Sequence, residues 1–293
     1  MRIKMTIQLL ALSFYALSWM ACQVPGDNPS KLIPVNPLPN ELTENSGLIE
    51  MDDDLFVGLN DSGHEANLYL FSLKRRSGTR TVKIQNAQNV DWEDLTQDST
   101  YVYIGDMGNN DGDRKDLVIY RVKKDDLRKK AEAEAEKITF SYENQATFKT
   151  SKKNNFDCEA FVSVADSLYL FTKNRGNQKT DLYSLPKSPG DYKAKHLGQF
   201  EANGLITSAV FRRDTSGNDL VLIGYQSKSY QGFMIYFPMV VGTHFFQGNA
   251  KRVDFNTTLQ LESVLYEGEH QVYISNEETT GQEGLIYKAD LPQ

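Results

Sequence analysis

Short strands, each opened by polar or acidic residues and filled by apolar ones, recur five times along the chain. The openers are Glu44-Asn45-Ser46-Gly47-Leu48, Asp91-Trp92-Glu93-Asp94-Leu95, Asp157-Cys158-Glu159-Ala160-Phe161, Ile206-Thr207-Ser208-Ala209-Val210 and Gln260-Leu261-Glu262-Ser263-Val264. Apolar runs follow each one, such as Tyr101-Val102-Tyr103-Ile104-Gly105 and then Leu117-Val118-Ile119-Tyr120-Arg121. Short β-branched and aromatic runs between Asn, Asp and Gly turns are strand signals rather than helical ones. A polar-alternating strand precedes the later openers, at residues 81–85, 137–142, 193–200 and 251–255, and is read with the opener as the start of each repeat.

Repetition of such four-strand units predicts an all-β fold, a β-propeller of five blades, or six if residues 110–156 hold a further irregular blade. The third opener positions are Ser46, Glu93, Glu159, Ser208 and Glu262, separated by 47, 66, 49 and 54 residues. The long interval contains Asp125 to Glu136, a charged Ala/Glu/Lys stretch that predicts a surface helix inserted into one loop. Only 31 residues follow Glu262, too few for a complete last blade. Lys31-Leu32-Ile33-Pro34-Val35 can supply the missing outer strand, closing the ring from the N-terminus and leaving no open edge.

Radial repetition carries equivalent positions to one axis, so Glu93, Glu159 and Glu262 are expected to converge there. Side chains two apart on a strand share a face, which places Asp91 with Glu93 and Asp157 with Glu159. The residue between them, Trp92, Cys158, Thr207 or Leu261, is expected to pack between blades. Like charges held close need a cationic partner. Glu93, Glu159, Glu262, Asp106 and Asn60 form an all-oxygen candidate metal set, which suits a hard cation such as Ca²⁺. Zinc has no comparable set, because neither the four histidines nor the two cysteines show ligand spacing. A second polar group follows the next strand of each repeat: Asn60-Asp61, Asp106 with Asn109 and Asn110, Lys173-Asn174-Arg175, Tyr225-Gln226, and Asn276-Glu277. Asp61, Asp91, Asp157, Lys173, Arg175, Asn276 and Glu277 are the candidate ligand contacts. The alternative is a salt-bridged plug without metal, in which Lys173, Arg175 and Arg114 neutralise the glutamates.

The ends and the composition narrow the setting. Arg2, Lys4 and the apolar run at residues 7–19 read as an export signal over residues 1–21. Met20-Ala21-Cys22 is similar to the lipobox of bacterial lipoproteins, although Trp19 stands where Leu or Val is usual, and makes Cys22 the candidate lipidation site. Residues 22–39 carry five of the nine prolines and read as a tether that runs into the closing strand; residues 40–293 read as one propeller domain. The expected location is the cell envelope, lipid-anchored, with a soluble periplasmic or secreted form as the alternative. Loss of Arg2 and Lys4 takes the net charge from −7 to about −9, which disfavours nucleic acid. Cys158 is then the remaining thiol, expected as a buried small hydrophobe.

In Asn45-Ser46-Gly47-Leu48, Asn60-Asp61-Ser62-Gly63, Asp91-Trp92-Glu93-Asp94 with residues 105–110, and Phe156-Asp157-Cys158-Glu159-Ala160 with residues 171–175, the chain resembles exported bacterial β-propeller lipoproteins of a phytase-like and esterase-like group. The resemblance implies a propeller, an envelope location and calcium. It carries over no catalytic mechanism, because the dense metal-ligand pattern of propeller phytases is not matched residue by residue. The expected function is a lipid-anchored envelope propeller that binds a small molecule, glycan or protein partner at an acidic, Ca²⁺-occupied central face. The rival is a metal-dependent hydrolase of phosphoesters or lactones, with Lys173 or Arg175 holding an anionic group. A third reading is a scaffold with no small-molecule site.

Overall fold

In the computed structural model, which describes residues 31–75, 78–214 and 217–292, the polar strands at 81–85, 137–142, 193–200 and 251–255 each sit one blade earlier than their place in the sequence repeat suggests. The expected export signal, Cys22 and the start of the Pro-rich tether lie outside the described residues. The first strand among the described residues is β1 (Ile33–Pro37). The first blade is β2 (Asn45–Asp52), β3 (Leu55–Asn60), β4 (Asn67–Phe71) and β5 (Arg80–Ile84). The next segment runs through β6 (Trp92–Gln97), β7 (Tyr101–Asp106), β8 (Val118–Lys123), the short helix α1 (Lys124–Lys129), β9 (Glu132–Ala133) and β10 (Glu136–Tyr142). β6, β7, β8 and β10 make the second blade. The third is β11 (Cys158–Val164), β12 (Ser167–Thr172), β13 (Thr180–Pro186) and β14 (Gly190–Phe200); the fourth is β15 (Leu205–Asp214), β16 (Gly217–Tyr225), β17 (Gly232–Phe237) and β18 (Lys251–Asp254). The fifth is β19 (Leu261–Glu267), β20 (Gln271–Asn276), β21 (Leu285–Asp290) and, returning from the N-terminus, β1.

The polar strand at residues 81–85 was read as the start of the second repeat, yet β5 pairs with β4 of the first blade. The strands at 137–142, 193–200 and 251–255 behave likewise. The same offset explains the closure: the polar strand of the first repeat is β1, and it pairs antiparallel with β21, Ile33 opposite Lys288 and Pro37 opposite Leu285. Pro34 and Pro37 are tolerated because β1 is the outermost strand of its sheet. The outer strands β5 and β10 alternate buried with more exposed positions over most of their length, whereas inner strands such as β6 start with four buried residues in succession, being covered on both faces by neighbouring blades.

The inner strands form a closed cycle, β2 against β6, β6 against β11, β11 against β15, β15 against β19, and β19 against β2. One apolar cluster fills each of the five wedges between neighbours. Trp92 anchors the wedge between the first and second blades, Cys158 and Phe161 the next, Ile206 and Phe233 the third, Leu261 and Phe255 the fourth, and Leu48 and Phe56 the last. Each buried Phe or Leu side chain contributes about 1.5–3 kcal/mol by leaving water, so the wedges, rather than any disulfide, hold the ring. Cys158 is free and fully buried, its thiol pushed well up by burial, which makes it inert.

The interval between Glu93 and Glu159 holds no further blade. Its charged stretch forms only the short α1 before Glu132–Ala133 joins the edge of β5 as a parallel strand, covering the outer rim of the first blade. The outer strands β10 and β14 also pair in parallel, which fuses the second and third blades into one eight-stranded sheet.

Candidate functional site

All five inner strands carry a β-bulge near their start, where one extra residue interrupts the ladder. The extra residues are Ser46, Glu93, Glu159, Thr207 and Glu262. A bulge bends the strand and re-aims the side chain at that point. The structure therefore aligns Thr207, not Ser208, with the glutamates, and Ile206, not Thr207, is the residue between blades in the fourth unit. Thr207 Oγ1 instead donates to the Leu261 carbonyl.

The turns after the second strand of each blade meet this ring. Asp61, Asn110, Lys173 with Arg175, Tyr225 and Glu277 arrive one blade after another and, together with Glu44, Asn45, Ser46, Glu93, Glu159, Gln260 and Glu262, enclose a cavity of about 150 Å³. Beneath it, buried Asp94 ties three blades together: Oδ1 accepts from Leu95 N at 2.8 Å and Ser208 Oγ at 3.4 Å, and Oδ2 accepts from Phe161 N at 3.2 Å. Burial still drives its carboxyl well above the usual range.

The carboxylates of the mouth divide into two sets that share Glu93. One oxygen each from Glu93, Asp157 and Glu159 lies within 4.8 Å of the others, and so does one each from Asp61, Asp91 and Glu93. The first set already carries counter-charge. Lys173 Nζ pairs with Glu159 Oε2, and Arg175 donates from Nε to Asp157 Oδ2 at 2.9 Å and from an Nη to Glu159 Oε1 at 3.3 Å and to Asn110 Oδ1. Lys173 also lies 5.1 Å from the centre of the Tyr225 ring. The second set has no such partner: among the described residues neither Asp61 nor Asp91 nor Glu93 forms an ion pair, and Glu93 Oε2 has only the Ser46 hydroxyl at 3.4 Å.

Electrostatics follow that division. Burial, reinforced by Glu159, Asp61 and Asp91, holds the Glu93 carboxyl well above its ordinary value. Burial and the charges of Asp61 and Asp157 push Asp91 up to about 7. Glu159 stands at about 8, since burial outweighs the help of Lys173. Burial lowers the Lys173 ammonium, but Glu159 overrides that and keeps it charged. Glu262 is raised well above its usual value and Glu277 to about 7, both chiefly by burial. Glu262 is 5% exposed and its Oε1 has no hydrogen-bond partner.

Other residues expected in the site hold its loops. Asn60 donates to the Glu41 carbonyl at 2.7 Å and accepts from Glu44 N at 3.2 Å, fixing the segment that carries Glu44. Asp106 accepts from the backbone N of Asp91 at 3.1 Å and pairs with Arg114 at 2.9 Å, so Arg114 serves Asp106 and not the glutamates. Asn276 donates to the carbonyls of Glu277 and Glu283 and accepts from Leu285 N, bracing the turn that presents Glu277. His64 lies 2.9 Å from Glu44. Sequence reasoning did not single out Gly108. A Cβ there would overlap Glu93 Oε1 and Asp91 Oδ2, so glycine lets the main chain lie directly against both carboxylates.

Five bladed sheets around an axial cavity define a β-propeller. No protein-family model matches the chain, and no curated protein does. Among solved structures it is similar to the PQQ-bound aldose sugar dehydrogenase from Streptomyces coelicolor, with a TM-score of 0.52, 8% identity, and coverage of 90% of this chain and 99% of that one. A glucose dehydrogenase crystal structure gives the same TM-score, identity and coverage. At this identity the likeness establishes the propeller fold and nothing about chemistry.

Proposed function

We propose that the protein is a ligand-binding propeller of the cell envelope, anchored through Cys22, whose acidic mouth holds Ca²⁺ on Asp61, Asp91 and Glu93. The observation that carries this reading is the uncompensated carboxylate set: three oxygens within 4.8 Å of one another, without an ion-paired cation. Hard oxygen donors at that spacing suit calcium, which takes several oxygens at about 2.3–2.6 Å in flexible geometry. Bound there, the ion would neutralise the charges that burial makes costly and would polarise an oxygen of a ligand entering the mouth. Asp106 and Gly108 position Asp91 and Glu93.

The binding reading is favoured over the hydrolase. Lys173 and Arg175 are already ion-paired with Glu159 and Asp157, so much of the positive charge an anionic substrate would need is neutralised within the protein. The test is elemental analysis of protein purified without chelator, paired with thermal melting. The expected result is about one calcium per chain and a lower Tm after chelation; metal-free protein whose melting ignores both calcium and chelator would overturn the proposal.

A further inference from the structure

The same cavity carries a second demand for positive charge, on the wall built by the fifth blade and the start of the first, and it differs from the first in shape. Glu262, Glu277 and Glu44 line this side, and Glu262 Oε1 is buried without a partner. None of the three belongs to a group whose oxygens lie within 4.8 Å of one another, so their oxygens are spread too widely for one small ion to gather. Gln260 bonds to Glu277 and also steadies the Glu262 carboxylate, but it brings no charge. Lys173 acts on Glu262 through space, yet its ammonium is bonded to Glu159.

The cavity itself displays the group that bridges such a spread. The Arg175 guanidinium spans Asp157, Glu159 and Asn110 at once, because its planar fork carries five N–H donors aimed outward. The side formed by Glu262 and Glu277 presents comparable acceptors and has no guanidinium of its own among the described residues. We infer that this half of the mouth binds the guanidinium of a ligand, supplied either by a free guanidine-bearing small molecule or by an arginine side chain of a peptide. The cavity takes the planar head, and the remainder of the ligand leaves through the mouth. The inference rests on the cavity being a binding site, but not on calcium occupying the other half.

Isothermal titration at pH 7 and low salt tests it, with calcium present throughout and with agmatine, the peptide Gly-Arg-Gly and the uncharged analogue butylurea as probes. The expected result is saturable binding of at least one guanidine probe, none of butylurea, and a loss of about tenfold or more in affinity in Glu262→Gln; Glu277→Gln gives the same reading should the buried substitution fail to fold. Glu65→Gln, an exposed site on the outer surface, is expected to leave the affinity unchanged. Binding of Gly-Arg-Gly but not agmatine identifies a peptide source, and equal binding of both a small molecule. Absence of binding by both guanidine probes, equal binding of butylurea, or an undiminished affinity in both variants would overturn the inference. A calcium titration without guanidine on the same sample separates its failure from that of the metal site.

Discussion

Gly108 shows how narrowly single positions set the chemistry of the mouth. Its missing Cβ is what allows the loop after β7 to rest on Asp91 and Glu93. Gly108→Ala is expected to fold, with Tm within a few degrees of wild type, but to lose calcium affinity by about tenfold as the two carboxylates are pushed apart; titration calorimetry checks this, and unchanged affinity would remove Gly108 from the site. Convergence of Glu93, Glu159 and Glu262 was readable from the repeat, since ring geometry needs only their equivalent position in each unit. What the sequence could not say was which carboxylates are already paired. Lys173 and Arg175 are adjacent in the chain to nothing acidic, and only the fold shows that they serve Glu159 and Asp157 while leaving Asp61, Asp91 and Glu93 without an ion-paired cation among the described residues. Gly108 resembled an ordinary turn residue, because a close approach leaves no mark in composition.

At the level of elements, the bulges matter most. Without the extra residue, strict alternation would send Glu93 and Asp94 to opposite faces of β6; the bulge lets one reach the cavity and the other the three-blade junction beneath it. Nothing in Asp91-Trp92-Glu93-Asp94 signals a bulge, and in the fourth repeat, which lacks an acidic residue, its absence from the reading produced a one-residue slip between Ser208 and Thr207. The closing strand, in contrast, was legible in the run Lys31-Leu32-Ile33-Pro34-Val35, and β1 pairs with β21. The helix was only half legible: the Ala/Glu/Lys run has helical propensity, but Ala133 is buried against β5, and tertiary pairing there outweighs local preference. Removal of residues up to Pro37 exposes the ladder edge of β21 and unlocks the ring. The expected outcome is a fall in the urea midpoint corresponding to about 2–4 kcal/mol, the range of several lost ladder bonds with their packing. An unchanged midpoint would mean that β1 does not close the molecule.

For the whole molecule, the gathered carboxylates make stability depend on pH in a direction opposite to that of ordinary acidic proteins. Glu277 at about 7 and Glu159 at about 8 both stand above their ordinary value of 4.5 in the folded state, mainly through burial. Between that ordinary value and the raised one the folded chain holds protons that the unfolded chain has released, so stability falls as pH rises through this window and the full cost is present above it. Carboxylates held low, such as Asp52 against Arg128, titrate below the window and do not mask the trend. Chelated protein is therefore expected to melt at a lower temperature at pH 8 than at pH 5, by differential scanning calorimetry, and calcium is expected to shrink the difference; a Tm that rises over this range would contradict the electrostatic account. Ring architecture was legible at this scale because five similar units leave few other ways to bury their faces. The division of one mouth into a paired set, an unpaired set and a wide acidic wall was not, since it depends on which of the side chains gathered from all five blades are ion-paired.

Calorimetric titration of calcium into chelator-stripped protein, run in parallel on Asp91→Asn, addresses the central claim most directly. The account predicts a single saturable site in the wild type, with stabilisation of about 2.7 kcal/mol once free calcium exceeds the Kd a hundredfold, and an affinity at least tenfold weaker in the variant. No heat and no stabilisation in the wild type, or equal affinity in the two proteins, would contradict it.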